Sequence, residues 1–327
     1  MRVPDRKESA CSPPAAEPPK SPAQRLAQLR PSLRCPACHC GLGDEPQALR
    51  CVGCNTRFPL LLGRPVLMTE QSRRELDLHL ETADGRRMVQ EYADPIPVID
   101  QNVAPWWLRL LRPPPIMYRY QSDLKQPPTS VLFEDTDAGS PLTLNVGGGP
   151  YRVSEAEITL NIRPFHNVDV VADAHNIPVD DNTFDSVFSL AVLEHVADPY
   201  HVVAEMIRVL KPGGYLYSEV PFIFFFHGYP TDYTRFTREG MKRLFAGLED
   251  AQFEMTHGPV SAVLQSINMV LQILLPARPK ALRKLVNGAF RWMFFPLKYL
   301  DIPLRRHSDA HILAGGFYVL GRKPRGR

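Results

Sequence analysis

The sequence predicts an α/β fold, a doubly wound parallel sheet preceded by a small cysteine-rich unit, on three observations. Beyond Ser140, short apolar runs alternate with helical stretches, the pattern of strands joined by crossover helices. The apolar run Thr143–Val146 leads straight into Gly147, Gly148 and Gly149, as expected where a strand turns sharply at the mouth of such a sheet. All six cysteines, at 11, 35, 38, 40, 51 and 54, fall within the first 54 residues. They mark a local device and not a disulfide framework for the whole chain.

Length and charge set the outer limits. A chain of 327 residues, 44% of them hydrophobic, supports a sizeable core and about two domains. Lys plus Arg total 38 against 35 Asp plus Glu, a formal charge of +3. That is too close to neutrality for a nucleic-acid coat. No run approaches the roughly 20 apolar residues of a membrane-spanning helix, and the charged start MRVPDRKES lacks the core of a secretory signal. The expected location is the cytoplasm. Nothing in the sequence defines an oligomeric state.

Residues 1–30 carry Pro13, Pro14, Pro18, Pro19 and Pro22 among Ala, Ser, Glu and Lys and read as a disordered leader, with too little apolar surface to offset chain ordering. Residues 31–68 hold the cysteine-rich unit. Residues 69–140 mix charged helical text with prolines at 95, 97, 105 and 113–115, a linker with one or two helices. Residues 141–323 supply the sheet through LTLNV, ITLNI, VDVVA, FDSVFSL and YLYSEV, with a last strand at 316–320 before a basic tail at 324–327. After Pro199, Val202, Val203, Met206, Ile207 and Leu210 recur at helical spacing, and Lys211-Pro212-Gly213-Gly214 stops the helix.

Cys35-Pro-Ala-Cys38 and Cys51-Val-Gly-Cys54 are two knuckles twelve residues apart. Such knuckles bring four thiolates around a tetrahedral Zn2+ at about 2.3 Å. His39 and Cys40 are additional candidate ligands, and four reduced cysteines without metal are the alternative. A site closed by four protein ligands supplies folding energy and no chemistry. The text that follows, NTRFPLLLGRPVLM at 55–68, resembles the end of the zinc-ribbon domain of the activator subunit of tRNA and protein methyltransferases. The resemblance implies a docking and stabilising module, here fused to the chain it would support.

Bare glycines at 147–149 let a ligand approach the backbone. They do not make a dinucleotide loop, because Arg152 stands where a third spaced glycine belongs, and a plain glycine turn is the alternative. Downstream come Asp173-Ala174, His175-Asn-Ile-Pro178, Asp181-Asn-Thr-Phe-Asp185, Leu193-Glu-His-Val196 and Arg208-Val-Leu-Lys-Pro-Gly-Gly214. This series resembles the class I S-adenosylmethionine-dependent methyltransferases, type 11 group, over about residues 142–221. The resemblance implies a Rossmann-like sheet and S-adenosylmethionine as cofactor. Gly147, Gly148 and Gly149 would face its methionine part, Asp173 with Ala174 would read the adenine, and Leu190 would lie beside the sulfonium. It also places 193–196 on the helix after the fourth strand, with Glu194 and His195 structural.

Two positions depart from the family pattern. Asn145 and Asn161 stand where acids usually close the first and second strands. Both remain cofactor-binding candidates, since an amide oxygen still accepts a hydrogen bond from a ribose hydroxyl. Without the charge, the expected loss is on the order of 1 kcal/mol, about fivefold in affinity. The short segment 149–161 leaves room only for a stubby helix at 153–157. A degenerate, non-catalytic cofactor fold is the alternative.

Past the fifth strand stands VPFIFFFHGYPTDYTRFT at 220–237, where residues line the ligand crevice of a doubly wound sheet. His227, Asp232, Tyr233 and Arg235 are the catalytic candidates, offering a base, an orienter and an anion contact. Related type 11 sequences carry a similar His-Gly-x-Pro-x-Asp-Tyr-x-Arg-Phe-Thr run. A polar loop that only caps the sheet is the plainer reading. Methyl transfer needs alignment above all, and His227 is the first choice where the acceptor must lose a proton.

Residues 261–306 read as a helical insertion, apolar but punctuated by Arg278, Lys280, Arg283, Lys284, Arg291 and Lys298. Such a basic amphipathic surface can make peripheral contact with an anionic membrane, although a core or lid is the plainer reading. The expected function is methylation of an O or N nucleophile on a small-molecule, glycan or lipid-linked acceptor. A non-catalytic adaptor or scaffold is the alternative, and an RNA-modifying methyltransferase a further one.

Overall fold

The computed structural model describes residues 21–61, 63–74, 113–120, 129–134, 141–150, 152–228, 231–275 and 279–326. The expectations for residues 1–20, for most of the linker and for Arg278 lie outside the described residues.

Strands β1 (Leu42–Glu45), β2 (Ala48–Cys51), β3 (Arg57–Leu61) and β4 (Arg64–Leu67) come from the cysteine-rich unit. Next come β5 (Thr143–Val146), β6 (Ile158–Asn161), β7 (Val170–Ala172), β8 (Phe184–Leu190), β9 (Leu210–Pro221), β10 (Glu249–His257) and β11 (Gly316–Arg322). Together they make one sheet in the order β1-β2-β3-β4-β7-β6-β5-β8-β9-β11-β10. Pairing from β7 to β9 is parallel, and β11 then runs antiparallel to both β9 and β10. The predicted Rossmann-like architecture is thus the one observed. The chain steps from β5 outward to β7 and returns to β8 on the other side of β5, which opens a crevice at the carboxyl end of β5.

Burial follows from that position. Every residue of β5, β6 and β7 is buried, as in parallel strands covered on both faces. Side chains alternate between two cores: Val187, Leu216 and Val319 face one cluster, while Phe188, Tyr217 and Tyr318 face another with Leu132. Helix α2 (Pro199–Val209) buries Val202, Val203, Met206 and Val209, and Asp198 caps its start by accepting from the His201 amide. The predicted helix stop at 211–214 is the beginning of β9, where Gly213 takes φ +79.

Several local expectations are corrected. Part of the predicted disordered leader, Pro22–Leu29, is helix α1, closed by a capping box between Ser21 and Gln24. Its Arg25 is buried and donates from Nε to Asp169 Oδ1 at 3.1 Å. Asp169 also pairs with Arg152 at 2.7 Å and accepts from the Thr159 amide at 2.9 Å, a tertiary reward invisible to composition. No helix forms at 153–157; Glu157 Oε2 accepts from the Val153 and Ser154 amides and ties the segment into a turn. Residues 193–196 likewise lie in a turn before α2. Helix α3 (Arg238–Leu244) and edge strand β10 were not anticipated. The charged Glu249, Asp250 and Glu254 of β10 mask its strand pattern and suit an unpaired edge.

The insertion at 261–306 is helical as expected, with α4 (Pro259–Leu274), α5 (Lys280–Phe294), a 3-10 turn Phe295–Leu300 and α6 (Asp301–Leu304). The fully buried Asp301 accepts from the Val260 and Ser261 amides and so caps α4. Among the described residues, no helix is long and apolar enough to cross a membrane.

The cysteine-rich unit is built into the sheet. β4 runs parallel beside β7, with Val66 opposite Val171 and Leu67 opposite Ala172. Arg64 Nη1 donates to the Phe165 carbonyl at 2.8 Å, and the Arg34 amide to the Pro178 carbonyl at 2.8 Å. Leu33, Phe58 and Leu67 share one core with Ile177 and Val179.

Asp169→Ala would take from the buried Arg152 and Arg25 the carboxylate they share, leaving Arg25 the exposed Glu155 at 3.8 Å, a loss on the order of 3–5 kcal/mol for a broken buried pair. Urea denaturation should show it as a lowered midpoint. A change under about 1 kcal/mol would show that this network does not anchor α1.

Candidate active site

At the carboxyl end of β5, Gly147 and Gly149 adopt φ +75 and +58, values that strain residues with a Cβ. The Gly147 amide donates to the Leu160 carbonyl at 2.8 Å, closing the turn against β6. A Cβ on Gly147 would meet Val192 Cγ2 at 2.5 Å, and one on Gly148 would meet Thr159 Cγ2 at 2.6 Å. At Gly149 a Cβ would meet nothing within 4 Å. The loop therefore packs tightly on one side and faces open space at its end.

Asn145 sits beneath this loop, its Nδ2 donating to Glu157 Oε1 at 2.8 Å. Its Oδ1 is buried without a hydrogen-bond partner, an acceptor free for a donor on a bound group. Glu157 is wholly buried, and that burial pushes its carboxyl upward against the hydrogen bonds from Asn145, Ser154 and Val153. A buried acid thus does stand at this corner, supplied from 157 instead of 145. Asn161, ending β6, donates from Nδ2 to the Arg163 carbonyl at 3.1 Å. Leu190 ends β8 half-buried, followed by Ala191 at φ +55.

Asp173 follows β7 and caps the 3-10 turn Ala174–Asn176. Its Oδ1 accepts from the His175 amide at 2.9 Å and faces His175 Nδ1 at 2.8 Å; its Oδ2 accepts from Ser72 Oγ at 2.6 Å. Burial raises this carboxyl, but the bonds from His175 and Ser72 prevail and hold it below the usual range. A carboxylate offers about four lone-pair sites, so capacity for one further N–H donor remains. Ser72 carried no sequence signal: it is 101 positions from Asp173, and the β4–β7 pairing brings them together.

Past β8 and β9, the turn at 194–195 and the loop at 227–237 fold onto each other. The Glu194 carbonyl accepts from the Tyr233 amide at 2.7 Å. Asp232, with its side chain 1% exposed, accepts from the His227 amide at 2.9 Å and forks with Arg235, whose Nη2 reaches Oδ2 at 2.6 Å. That guanidinium holds the Asp232 carboxyl down to about 2. Arg235 therefore braces the loop through Asp232. Tyr233 is 56% exposed, and among the described residues no contact of its ring brings it to His227 or Asp232. His227 Nε2 lies 3.5 Å from Oε1 of the wholly buried Glu194. The Glu194 carboxylate raises the His227 pKa, outweighing burial, so the ring holds a proton more firmly than a free histidine. Glu194, expected to be merely structural, is thus at the centre of this cluster.

In the cysteine-rich unit the thiols of Cys35, Cys38, Cys51 and Cys54 lie within 4.8 Å of one another, with Cys35–Cys54 at 3.6 Å and Cys38–Cys51 at 3.4 Å. Sulfurs about 2.3 Å from a tetrahedral ion stand roughly 3.8 Å apart, so the four thiols fit such an ion. His39 and Asn55, each just past a knuckle, take φ +57 and +61. The Gly53 and Cys54 amides donate to Cys51 Sγ. His39 and Cys40 stay outside the four-thiol group.

Gly147→Ala combines a strained φ with the Val192 clash, whereas Gly149→Ala meets only the strain. Thermal melts should place Gly147→Ala clearly below Gly149→Ala. Equal melting temperatures would show that the loop does not pack as described.

Residues 150–218 match a family model described as a methyltransferase domain. The chain is 47% identical over 45 residues to a 27-O-demethylrifamycin SV methyltransferase of Amycolatopsis mediterranei (strain S699), covering 14% of this chain and 16% of that one. It is 49% identical over 43 residues to norajmaline N-methyltransferase of Rauvolfia serpentina, covering 13% and 15%. The chain thus spans about a sixth of the length of the curated relatives it matches. Among solved structures, a complex of the Haloferax volcanii Trm112 methyltransferase activator with a methyltransferase is similar at 19% identity and TM-score 0.34, covering 56% of this chain and 83% of that one. The matched stretch begins at Pro150, just past the glycine loop, and runs to the middle of β9.

Proposed function

We propose that this protein transfers a methyl group from S-adenosylmethionine to an O or N nucleophile of a small acceptor at the carboxyl end of the sheet. The observation that carries the reading is the strand order β7-β6-β5-β8-β9-β11-β10, with the domain match laid over its crevice. The residues present fit the cofactor. Gly147, Gly148 and Gly149 offer bare backbone, Asn145 Oδ1 is a buried acceptor awaiting a donor, and Asp173 with Ala174 keeps one acceptor site for an adenine N–H. Asn161 would accept from the ribose and Leu190 would line the sulfonium side. The cofactor supplies an activated methyl group; the protein supplies alignment and exclusion of water.

On the acceptor side, the Asp232–Arg235 fork holds the loop so that His227 stands at the crevice. His227, paired with Glu194, is the group that meets an acceptor proton. An apolar cavity of about 430 Å3 between α4 and α5, lined by Val260, Val263, Leu264, Ile267, Phe290 and Phe294 among others, shares no lining residue with this site. The four thiols would hold a structural Zn2+. That zinc ribbon would then act as a built-in stabiliser, since β4 and Ser72 reach from it to β7 and Asp173.

Calorimetry with S-adenosylmethionine should show one site, and S-adenosylhomocysteine should accumulate with a suitable acceptor. His227→Ala should lower turnover about a hundredfold while leaving cofactor affinity within about twofold; equal turnover would remove His227 from the reaction. Cys51→Ser should lower both the melting temperature and cofactor affinity, and an unchanged affinity would separate the ribbon from the site.

A further inference from the structure

We propose that Glu194, His195 and His227 form a two-histidine, one-carboxylate site for a divalent cation, separate from the four cysteines. The three ligand atoms lie within 4.8 Å of one another. His227 Nε2 and His195 Nε2 stand 3.5 and 3.8 Å from Glu194 Oε1. Ligands about 2.1 Å from a common ion sit roughly 3.0–3.4 Å apart, so an ion would draw both imidazoles inward onto the carboxylate.

The carboxylate calls for such a partner. Glu194 is wholly buried, and neither of its oxygens receives a hydrogen bond. A buried carboxylate in that condition is costly unless a cation or proton lies against it. The histidines are oriented for the first of these. His195 Nδ1 meets the Thr231 carbonyl, and His227 Nδ1 lies 3.2 Å from the Phe225 carbonyl. A carbonyl only accepts, so these contacts place a ring proton on each Nδ1 and turn each Nε2 toward Glu194, where a bound cation would take the place of the proton that the carboxylate favours on His227. Ligating histidines are commonly held this way, through the other ring N–H. The remaining charged groups facing His227 are Asp232, 3.4 Å from Nδ1, and Arg235, whose Nη2 is also 3.4 Å from Nδ1. Both approach Nδ1, the ring nitrogen other than the one near Glu194, and the Glu194 charge also acts on Arg235.

Three protein ligands leave coordination positions open, unlike the four-cysteine site. Resting on the methyl-transfer reading, those positions take an acceptor hydroxyl and lower its pKa. The hydroxyl proton leaves to solvent. The O–C bond then forms as the methyl C–S bond breaks, and the oxyanion and sulfonium charges cancel to give a neutral ether and a neutral thioether. In this arrangement His227 acts as a ligand instead of the proton acceptor.

The test uses the full chain with its cysteines zinc-loaded, titrated with Mn2+ and read by electron paramagnetic resonance, since Mn2+ favours oxygen and nitrogen ligands over thiolates. One Mn2+ per chain is expected. Glu194→Gln should weaken it at least tenfold, and Cys51→Ser should leave it unchanged. Should Glu194→Gln fail to fold, His227→Gln, at a partly exposed ring, should give the same weakening. A chain that binds neither Mn2+ nor a second Zn2+, or binds Mn2+ equally well in both variants, overturns the site. Formation of S-adenosylhomocysteine is read separately. Transfer without cation binding overturns this inference alone, and cation binding without transfer overturns only the proposed function.

Discussion

A parallel sheet cannot leave a flank uncovered without exposing a row of backbone donors and acceptors, and in this protein that constraint is met by the cysteine-rich unit. β7 is only three residues long, and β4 occupies its outer side. Because Asp173 follows β7 directly, whatever holds β7 also holds Asp173. Ser72, just past β4, completes the arrangement by donating to the carboxylate. A module that looks separable along the chain is, in space, the sheet's outer wall and one side of its crevice.

The opposite side of the crevice depends on buried charge. Asp232 and Arg235 satisfy one another and fasten the loop that presents His227, while Glu194 is buried beneath that ring with no hydrogen-bond donor of its own. The two carboxylates differ in what surrounds them. One is neutralised by a guanidinium fork and acts as a brace; the other faces imidazole nitrogens. The same principle operates far from the crevice, where Asp169 gathers Arg25 and Arg152 and thereby draws α1 onto the sheet.

Much of the central sheet was legible because its strands are apolar at every position, and period and punctuation suffice to find them. Val202, Val203, Met206 and Ile207 likewise announced α2, although Leu210, read with them, begins β9. The failures share a cause. Pro22–Leu29 looks disordered by composition, but Arg25 finds a buried partner 144 residues away. The segment at 153–157 has helical text, but the Glu157 side chain captures the backbone amides a helix would use. β10 was missed because an edge strand carries charge where a central strand would not.

The sequence by itself determined the fold class, the glycine turn and the pair of cysteine knuckles, since each is written in neighbouring residues. Tertiary structure decided the rest. It joined Ser72 to Asp173, set the buried Glu157 against Asn145, paired Arg235 with Asp232, and brought Glu194 under His227. The physical reason is that the role of a charged side chain depends on what neutralises it and how deeply it is buried. Both are properties of chain segments distant in sequence that folding alone brings together.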